Sequence, residues 1–218
     1  MDAIKHLSDS DPRLAKVITK IGTLDCYVAN KRNDSFLFLV KEIVGQVISA
    51  SSKKIIWGRL EKLCNGTVSP NTITSLTTEH LRSIGLSYSK CSYILNLAEK
   101  VTDGEINFDM INELSDDEVI RYLVSIRGIG IWTAKMYLIF YLGREDVLPY
   151  EDGAFIQAYR WLYNTKNIKP SSIARRCKKW KPYSSIGARF MYRALDTGLT
   201  KIPIKEFLEN DCQNGIVD

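Results

Sequence analysis

The stretch that decides the fold of this chain is Ser125-Ile126-Arg127-Gly128-Ile129-Gly130-Ile131-Trp132-Thr133-Ala134. Before it, a capping box and apolar residues at helical spacing predict a helix over about 116–125. The glycines end that helix, because Gly128 and Gly130 can take positive φ angles and expose backbone N–H groups. A second apolar helix is expected to begin near Ile131. The pattern therefore predicts a helix, a tight hairpin and a second helix.

The start of the second helix is a candidate seat for an anion. Exposed amides there, aided by the helix dipole and by Thr133, suit a phosphate oxygen of DNA. Such a contact positions a protein on DNA without reading its sequence. An ordinary turn between two core helices is the other interpretation of the two glycines, and the residues alone leave both open.

One helix further on, a loop carries a carboxylate. Its residues are Asp146-Val147-Leu148-Pro149-Tyr150-Glu151-Asp152. Pro149 restrains the backbone, and Asp152 stands just before Gly153 and a new apolar run. An Asp at such a place is typical of a helix N-cap, and it can also take part in chemistry. Both roles can hold at once.

Together these residues resemble the helix-hairpin-helix (HhH-GPD) DNA glycosylase superfamily, and specifically its 3-methyladenine DNA glycosylase II family. The resemblance lies in the hairpin, in Trp132 after it, in the spacing from Trp132 to Asp152 and in the D-V-x-x-P-x-x-D loop. Three further segments are similar to family motifs: residues 43–49 to I-x-x-Q-x-x-S, 81–90 to L-x-x-x-G-[LM]-x-x-x-K, and 180–185 to W-x-P-[WY]-R-S. The resemblance spans about residues 35–195, and the order and spacing of the motifs make it specific.

The resemblance implies an all-α fold of two helical lobes around a cleft, with a helix-hairpin-helix motif that binds DNA. Helical spacing along the chain agrees with this class. We expect one glycosylase unit over residues 1–209, with lobes at about 35–110 and about 111–209, the second including the N-terminal segment. Residues 210–218 are expected to be a disordered tail. The β-rich N-terminal domain of longer family members is not expected, because the Gln46 helix begins within the first forty residues.

By the same resemblance, Asp152 is the catalytic residue. Excision of a base drives the sugar towards an oxocarbenium ion, which a fixed negative charge stabilises. Glycoside hydrolysis commonly needs a second carboxyl group to protonate the leaving group. A purine alkylated on a ring nitrogen is already cationic and leaves as a neutral molecule, so one Asp suffices. Glu151 is the adjacent alternative, and we interpret it as a solvated neighbour.

Trp132 occupies the place where relatives that also cut the DNA backbone have a lysine that forms a Schiff base. An indole cannot form one, so the resemblance implies a monofunctional glycosylase that leaves an intact abasic site. It also implies a base pocket lined by Trp132, Met136 and Tyr192, in which aromatic rings stack on a cationic base. Met136 stands where close relatives have a tyrosine. Core packing is the alternative for Tyr192.

Other residues are implied to contact DNA. Val47 matches the wedge that fills the gap left by a flipped base, with Gln46 beside it, although a predicted helix over 35–50 would equally place Val47 in the core. Basic residues crowd around Trp180, where they would add salt-dependent affinity or form only a solvated face. The expected DNA-binding residues are Gln46, Val47, Ser49, Lys90, Gly128, Gly130, Thr133, Lys178, Lys179 and Lys181.

No cofactor is expected. The five cysteines, Cys26, Cys64, Cys91, Cys177 and Cys212, are widely separated, which argues against the four-cysteine iron–sulfur cluster of several relatives and against zinc. The resemblance implies a structural Na⁺ or K⁺ held by the main-chain carbonyls of Val124, Ile126 and Ile129.

The charge balance suits a polyanionic partner, since 30 Lys and Arg exceed 25 Asp and Glu by five. The expected partner is duplex DNA with a damaged base, bound by a monomer. No secretion signal or membrane span is predicted, so we expect the cell interior: cytoplasm or nucleoid in a prokaryote, nucleus in a eukaryote.

Two other functions fit the same motifs. One is a glycosylase of this fold for a deaminated or oxidised base, in which the motifs stay and the pocket differs. The other is a non-catalytic helix-hairpin-helix module that only holds DNA. Asp152 argues against the module, because a carboxylate among phosphates is repulsive.

Overall fold

The computed structural model describes residues 2–24 and 34–209, and every regular element within them is helical. The α-helices are α1 (Ala3–Ser10), α2 (Pro12–Ile21), α3 (Ser35–Gly45), α4 (Ala50–Leu63), α5 (Pro70–Thr74), α6 (Thr78–Ser83), α7 (Tyr88–Thr102), α8 (Asp116–Val124), α9 (Ile131–Met136), α10 (Gly153–Tyr163), α11 (Pro170–Cys177), α12 (Ser184–Asp196) and α13 (Ile204–Glu209). A π-helical segment, Tyr137–Leu142, continues α9. Short 3₁₀ turns are present at Asp109–Asn112, Lys178–Trp180 and Leu199–Lys201. The predicted all-α class is confirmed.

Contacts divide the described residues into two compact units. The first comprises residues 34–142, and the second comprises residues 2–24 together with 143–209. This division falls after Leu142, later than the lobe boundary expected near residue 110. The reason is that α8 packs on α9 and the π-helical continuation of α9 packs on α3, which keeps the hairpin in the first unit.

The first unit is built on α3 and α7, which pack against each other. Phe36, Leu39 and Ile43 of α3 are fully buried or nearly so. The helix predicted over 35–50 ends at Gly45, because the chain turns at Val47, and a new helix already begins at Ala50. The sequence pattern had merged the turn with the helix before it.

The second unit is built on α2, α10 and α12, which pack on one another around buried aromatic rings. Phe155, Tyr159, Trp180 and Phe190 are all fully buried. Asp11, the N-cap of α2, accepts a hydrogen bond from the Trp180 indole nitrogen at 2.9 Å. No helix of the described residues is both long and apolar enough to cross a bilayer.

Candidate active site and DNA interface

The predicted hairpin joins α8 to α9. Gly128 has a φ of +91°, and a Cβ atom at this position would lie 2.3 Å from Cγ of Tyr93 on α7. Gly128 is therefore required twice, for the backbone conformation and for the close approach of the ring. Sequence alone indicated the first requirement and gave no sign of the second.

The beginning of α9 is open. Its N-cap is Gly130, which offers no side-chain hydrogen bond to the first amides of the helix. A Cβ atom on Gly130 would meet no atom within 4 Å. Thr133 is only 1% exposed, so its backbone rather than its hydroxyl is the candidate for the predicted phosphate contact. An anion can approach these amides without displacing a side-chain cap.

The turn between α3 and α4 exposes Val47 completely, with a relative exposure of 103%. Its φ is +55°, a region that β-branched residues rarely adopt. The core-packing interpretation of Val47 is therefore wrong. Gln46, just before it, donates from Nε2 to the Gly128 carbonyl at 3.0 Å, which fastens this turn to the hairpin.

Two predicted DNA contacts have structural partners at the same turn. The Lys90 ammonium donates to the Val44 carbonyl at 2.9 Å, in the last turn of α3, where a cation is favourable. Burial lowers the pKa of Lys90. Ser49 is the N-cap of α4 and accepts a hydrogen bond from the Ser52 amide at 3.2 Å. Both side chains therefore hold the two helix ends that flank Val47.

Of the predicted base-pocket residues in the first unit, Trp132 is half-buried and Met136 is 5% exposed. Between them lies Lys135, which is only 7% exposed. Helical spacing gave no signal for this buried lysine, because its neighbours Thr133 and Ala134 are not strongly apolar. Lys135 matters because an amine on this helix bears on the question of lyase chemistry.

In the second unit, Asp152 caps α10. Its Oδ1 accepts a hydrogen bond from the Phe155 amide at 2.7 Å, so the N-cap interpretation is confirmed. The side chain is also 8% exposed, which places a carboxylate away from bulk water. Glu151 is exposed, as the solvated-neighbour interpretation expects.

Tyr192 of α12 is 9% exposed, and its hydroxyl is hydrogen-bonded to the Asp152 carboxylate. Burial, the negative charge of Asp152 and this hydrogen bond raise the pKa of Tyr192 far above its usual value. The phenol therefore stays protonated and donates. Sequence comparison had suggested Tyr192 as a wall of the base pocket, and the link to Asp152 was not foreseen.

The start of the Asp152 loop is held by the N-terminus of α12. Ser185 Oγ accepts from the Val147 amide at 2.9 Å and donates to the Val147 carbonyl at 3.2 Å. The neighbouring Ser184 hydroxyl donates to Asp146 at 2.5 Å. The segment that resembles W-x-P-[WY]-R-S thus serves to anchor the loop that carries the carboxylate.

The basic segment is used partly within its own unit. Lys179 pairs with the buried Asp11 at 3.1 Å, and Lys181 pairs with Asp146 at 3.0 Å. Burial alone would raise the pKa of Asp11, but hydrogen bonds from Tyr163, Trp180 and Lys179 lower it. Lys178 is exposed. The two paired lysines stabilise anions of the protein, which makes them weaker candidates for a DNA phosphate.

Among the cysteines, Cys64, Cys91 and Cys177 are buried thiols, whereas Cys26 and Cys212 lie outside the described residues. Within the described part of the chain, no cluster of three or more His, Cys, Asp and Glu side chains is arranged to hold a metal ion.

Comparison with known proteins agrees with this architecture. The model for HhH-GPD superfamily base excision DNA repair proteins matches residues 40–182. DNA-3-methyladenine glycosylase 1 of Schizosaccharomyces pombe is 25% identical over 192 residues, which are 86% of this chain and 84% of that protein. The structure of a Bacillus halodurans DNA-3-methyladenine glycosidase gives a TM-score of 0.81 at 29% identity over 96% of both chains. A 3-methyladenine DNA glycosylase of S. pombe in complex with abasic DNA gives 0.79 at 26% identity, covering 90% of this chain and 97% of that one. The chain belongs to the HhH-GPD superfamily of base excision DNA repair proteins.

Proposed function

We propose that this protein is a monofunctional DNA glycosylase. It flips alkylated purines of the 3-methyladenine and 7-methylguanine type out of duplex DNA and hydrolyses their glycosidic bond, leaving an abasic site for base excision repair. The observation that carries this proposal is the buried Asp152 carboxylate at the N-terminus of α10, in a chain whose relatives are named 3-methyladenine glycosylases.

Asp152 supplies the chemistry. As the bond between the base and C1′ lengthens, positive charge develops on the sugar, and a preorganised carboxylate stabilises it. The same carboxylate orients or deprotonates the attacking water. The hydrogen bond from the Phe155 amide fixes its direction before the substrate arrives. A cationic alkylpurine needs no second carboxyl group, because it departs as a neutral base.

The hairpin holds the DNA. The amides at the start of α9 bind a backbone phosphate, and Gly130 leaves room for it. The exposed Lys178 adds a salt-dependent contact. Because Gln46 is bonded to Gly128, the hairpin and the Val47 turn approach DNA as one surface.

Val47 is the wedge. Base flipping costs a few kcal/mol of stacking and pairing, and an apolar side chain in the vacated space offsets part of that cost. An exposed valine with a positive φ is a local strain, of a kind that collects at functional sites. Val47→Ala should therefore slow excision from paired duplexes more than from single strands, in which no gap opens.

Trp132 and Met136 are proposed to contact the flipped base, with the indole stacked on its cationic ring. Lyase chemistry is not expected. Borohydride reduction of a reaction mixture should therefore trap no covalent protein–DNA complex. A trapped complex that disappears in Lys135→Met would instead assign the amine of Lys135 as a nucleophile and overturn the monofunctional mechanism.

We propose that the enzyme works without an iron–sulfur cluster or zinc, which elemental analysis of the purified protein would test. A Na⁺ or K⁺ ion at the hairpin fits the carbonyl oxygens of Val124, Ile126 and Ile129, which are donors of the hard type that such ions prefer. The Ile126 carbonyl accepts one hydrogen bond, from the Ile129 amide at 3.0 Å, and retains a second lone pair. DNA affinity that changes when K⁺ is replaced by a bulky organic cation at constant ionic strength would support this ion.

The decisive experiment measures abasic sites in a methylated duplex, using the wild type and Asp152→Asn while DNA binding is monitored. We expect abasic sites from the wild type alone, binding by both proteins and no strand cleavage before alkali. If both bind and neither releases a base, a panel of deaminated and oxidised lesions separates a glycosylase of other specificity from a binding module.

A further inference from the structure

We propose that Tyr192 is a positioning residue for Asp152, and that its hydroxyl rather than its ring is the feature on which base excision depends. The inference rests on the proposed function, because it assigns Tyr192 a part in the reaction of Asp152. It goes beyond a stacking role in the base pocket, for which a phenylalanine would serve equally well.

The first argument is the environment of the two side chains. Asp152 and Tyr192 are 8% and 9% exposed, so water is largely kept from competing for the bond between them. Their helices, α10 and α12, pack directly on each other. A hydrogen bond between a phenol and a carboxylate is charge-assisted and stronger than a neutral one. Tyr192 therefore restrains the carboxylate from the side of α12, whereas the Phe155 amide restrains it from α10.

The second argument is the spacing along α12. Ser185 and Tyr192 are seven residues apart, which is about two helical turns or about 10 Å on one face of the helix. Ser185 holds Val147 at the start of the loop, and Tyr192 holds Asp152 at its end. A single rigid helix thus fixes both ends of the loop. The carboxylate is located relative to α12, and not by the backbone of the loop alone.

Because its pKa is raised by burial and by the charge of Asp152, the Tyr192 phenol remains a donor throughout the pH range in which repair enzymes act. Fixed orientation of a charged group is worth more than its mere presence, since small misplacements of a catalytic group cost large factors in rate. Loss of the hydroxyl should therefore affect the chemical step and leave DNA binding unchanged.

The test compares Tyr192→Phe with Tyr163→Phe. The Tyr163 hydroxyl also donates to a buried N-cap aspartate of the same unit, Asp11, so the control removes an equivalent bond at a different helix. For Tyr192→Phe we expect single-turnover excision of 7-methylguanine to slow at least about tenfold, with Kd for an abasic duplex unchanged within about twofold. Tyr163→Phe should leave both quantities as in the wild type. A wild-type excision rate in Tyr192→Phe overturns the proposal and leaves Tyr192 a stacking residue.

A second measurement does not depend on catalysis. In a double-mutant cycle on the unfolding equilibrium, Tyr192→Phe should lower stability about fivefold to tenfold with Asp152 present and less than about twofold in the Asp152→Ala background. Absence of this coupling overturns the proposal even if the wild type is active. Coupling without any base release by the wild type shows that the contact exists and that the proposed function fails, and the assigned role in excision falls with it.

Discussion

The turn between α6 and α7 and the hairpin between α8 and α9 share one design within the same unit. Each has a glycine with positive φ, +103° at Gly85 and +91° at Gly128. Each follows that glycine with a buried apolar residue, Leu86 or Ile129. The two differ at the first residue of the second helix. That difference indicates which of them is suited to bind a phosphate.

At α7 the N-cap is Ser87, whose Oγ accepts a hydrogen bond from the Lys90 amide at 3.3 Å. At α9 the N-cap is Gly130, which has no side chain to offer. The first helix satisfies one of its own orphan amides, whereas the second leaves them for an external acceptor. A similar backbone shape therefore does not imply a similar function, because the cap residue decides whether the amides are available.

The glycines differ as well. A Cβ atom on Gly128 would collide with Tyr93 at 2.3 Å, whereas the nearest atom to a Cβ on Gly85 is 3.8 Å away. The α8–α9 hairpin is therefore fixed by tertiary packing and by backbone conformation, and the α6–α7 turn by backbone conformation alone.

The largest effect is expected for Gly128→Ala. Steric overlap with Tyr93 adds to the strain of a positive φ, for a loss of about 4 kcal/mol in the free energy of unfolding. Urea denaturation followed by circular dichroism measures it. A loss no greater than that of Gly85→Ala would show that the Tyr93 contact relaxes freely.

Gly85→Ala is expected to cost about 2 kcal/mol, since the new methyl group fits and only the backbone is strained. The same denaturation experiment applies. The difference between the two alanine variants isolates the contribution of the Tyr93 contact, and equal losses would remove this distinction between the turns.

Gly130→Ser gives α9 the kind of cap that α7 has. Its side chain enters open space, so stability should be unchanged or slightly higher. Because the serine occupies an amide and crowds the proposed phosphate, Kd for an abasic duplex should rise about tenfold, or about 1.4 kcal/mol. Fluorescence anisotropy measures it, with Gly130→Ala as the control that adds bulk without a cap. Unchanged affinity in both variants would place the phosphate elsewhere.

Ser87→Ala is the smallest change, with an expected loss of about 1 kcal/mol in stability from the lost cap. DNA affinity should stay as in the wild type, because α7 is not proposed to hold a phosphate. A several-fold change in Kd would contradict the division of roles between the two turns.

Several features were predictable because their causes lie within a few residues. The capping box of α8, formed by Ser115 and Glu118, begins that helix where expected. The Gly128 turn ends it, and Asp152 caps α10 through the amide three residues on. Local hydrogen bonds and φ preferences follow directly from residue type.

Other features depended on partners distant in the sequence. Lys90 and Lys179 were expected on DNA, yet each lies against an acceptor of the protein, the Val44 carbonyl and the Asp11 carboxylate respectively. A lysine in a sequence pattern is the same residue whether it faces water or a helix end. Only the packed chain distinguishes the two cases.

The sequence by itself determined the all-α class, the helix-hairpin-helix, the family and the candidate carboxylate, since these rest on periodicity, glycine conformation and motif spacing. The tertiary structure decided that Val47 is exposed, that Gly128 is closed off by Tyr93 and that Tyr192 holds Asp152. The physical reason is that exposure and hydrogen-bond partnership are properties of pairs of residues, brought together only when separate helices pack.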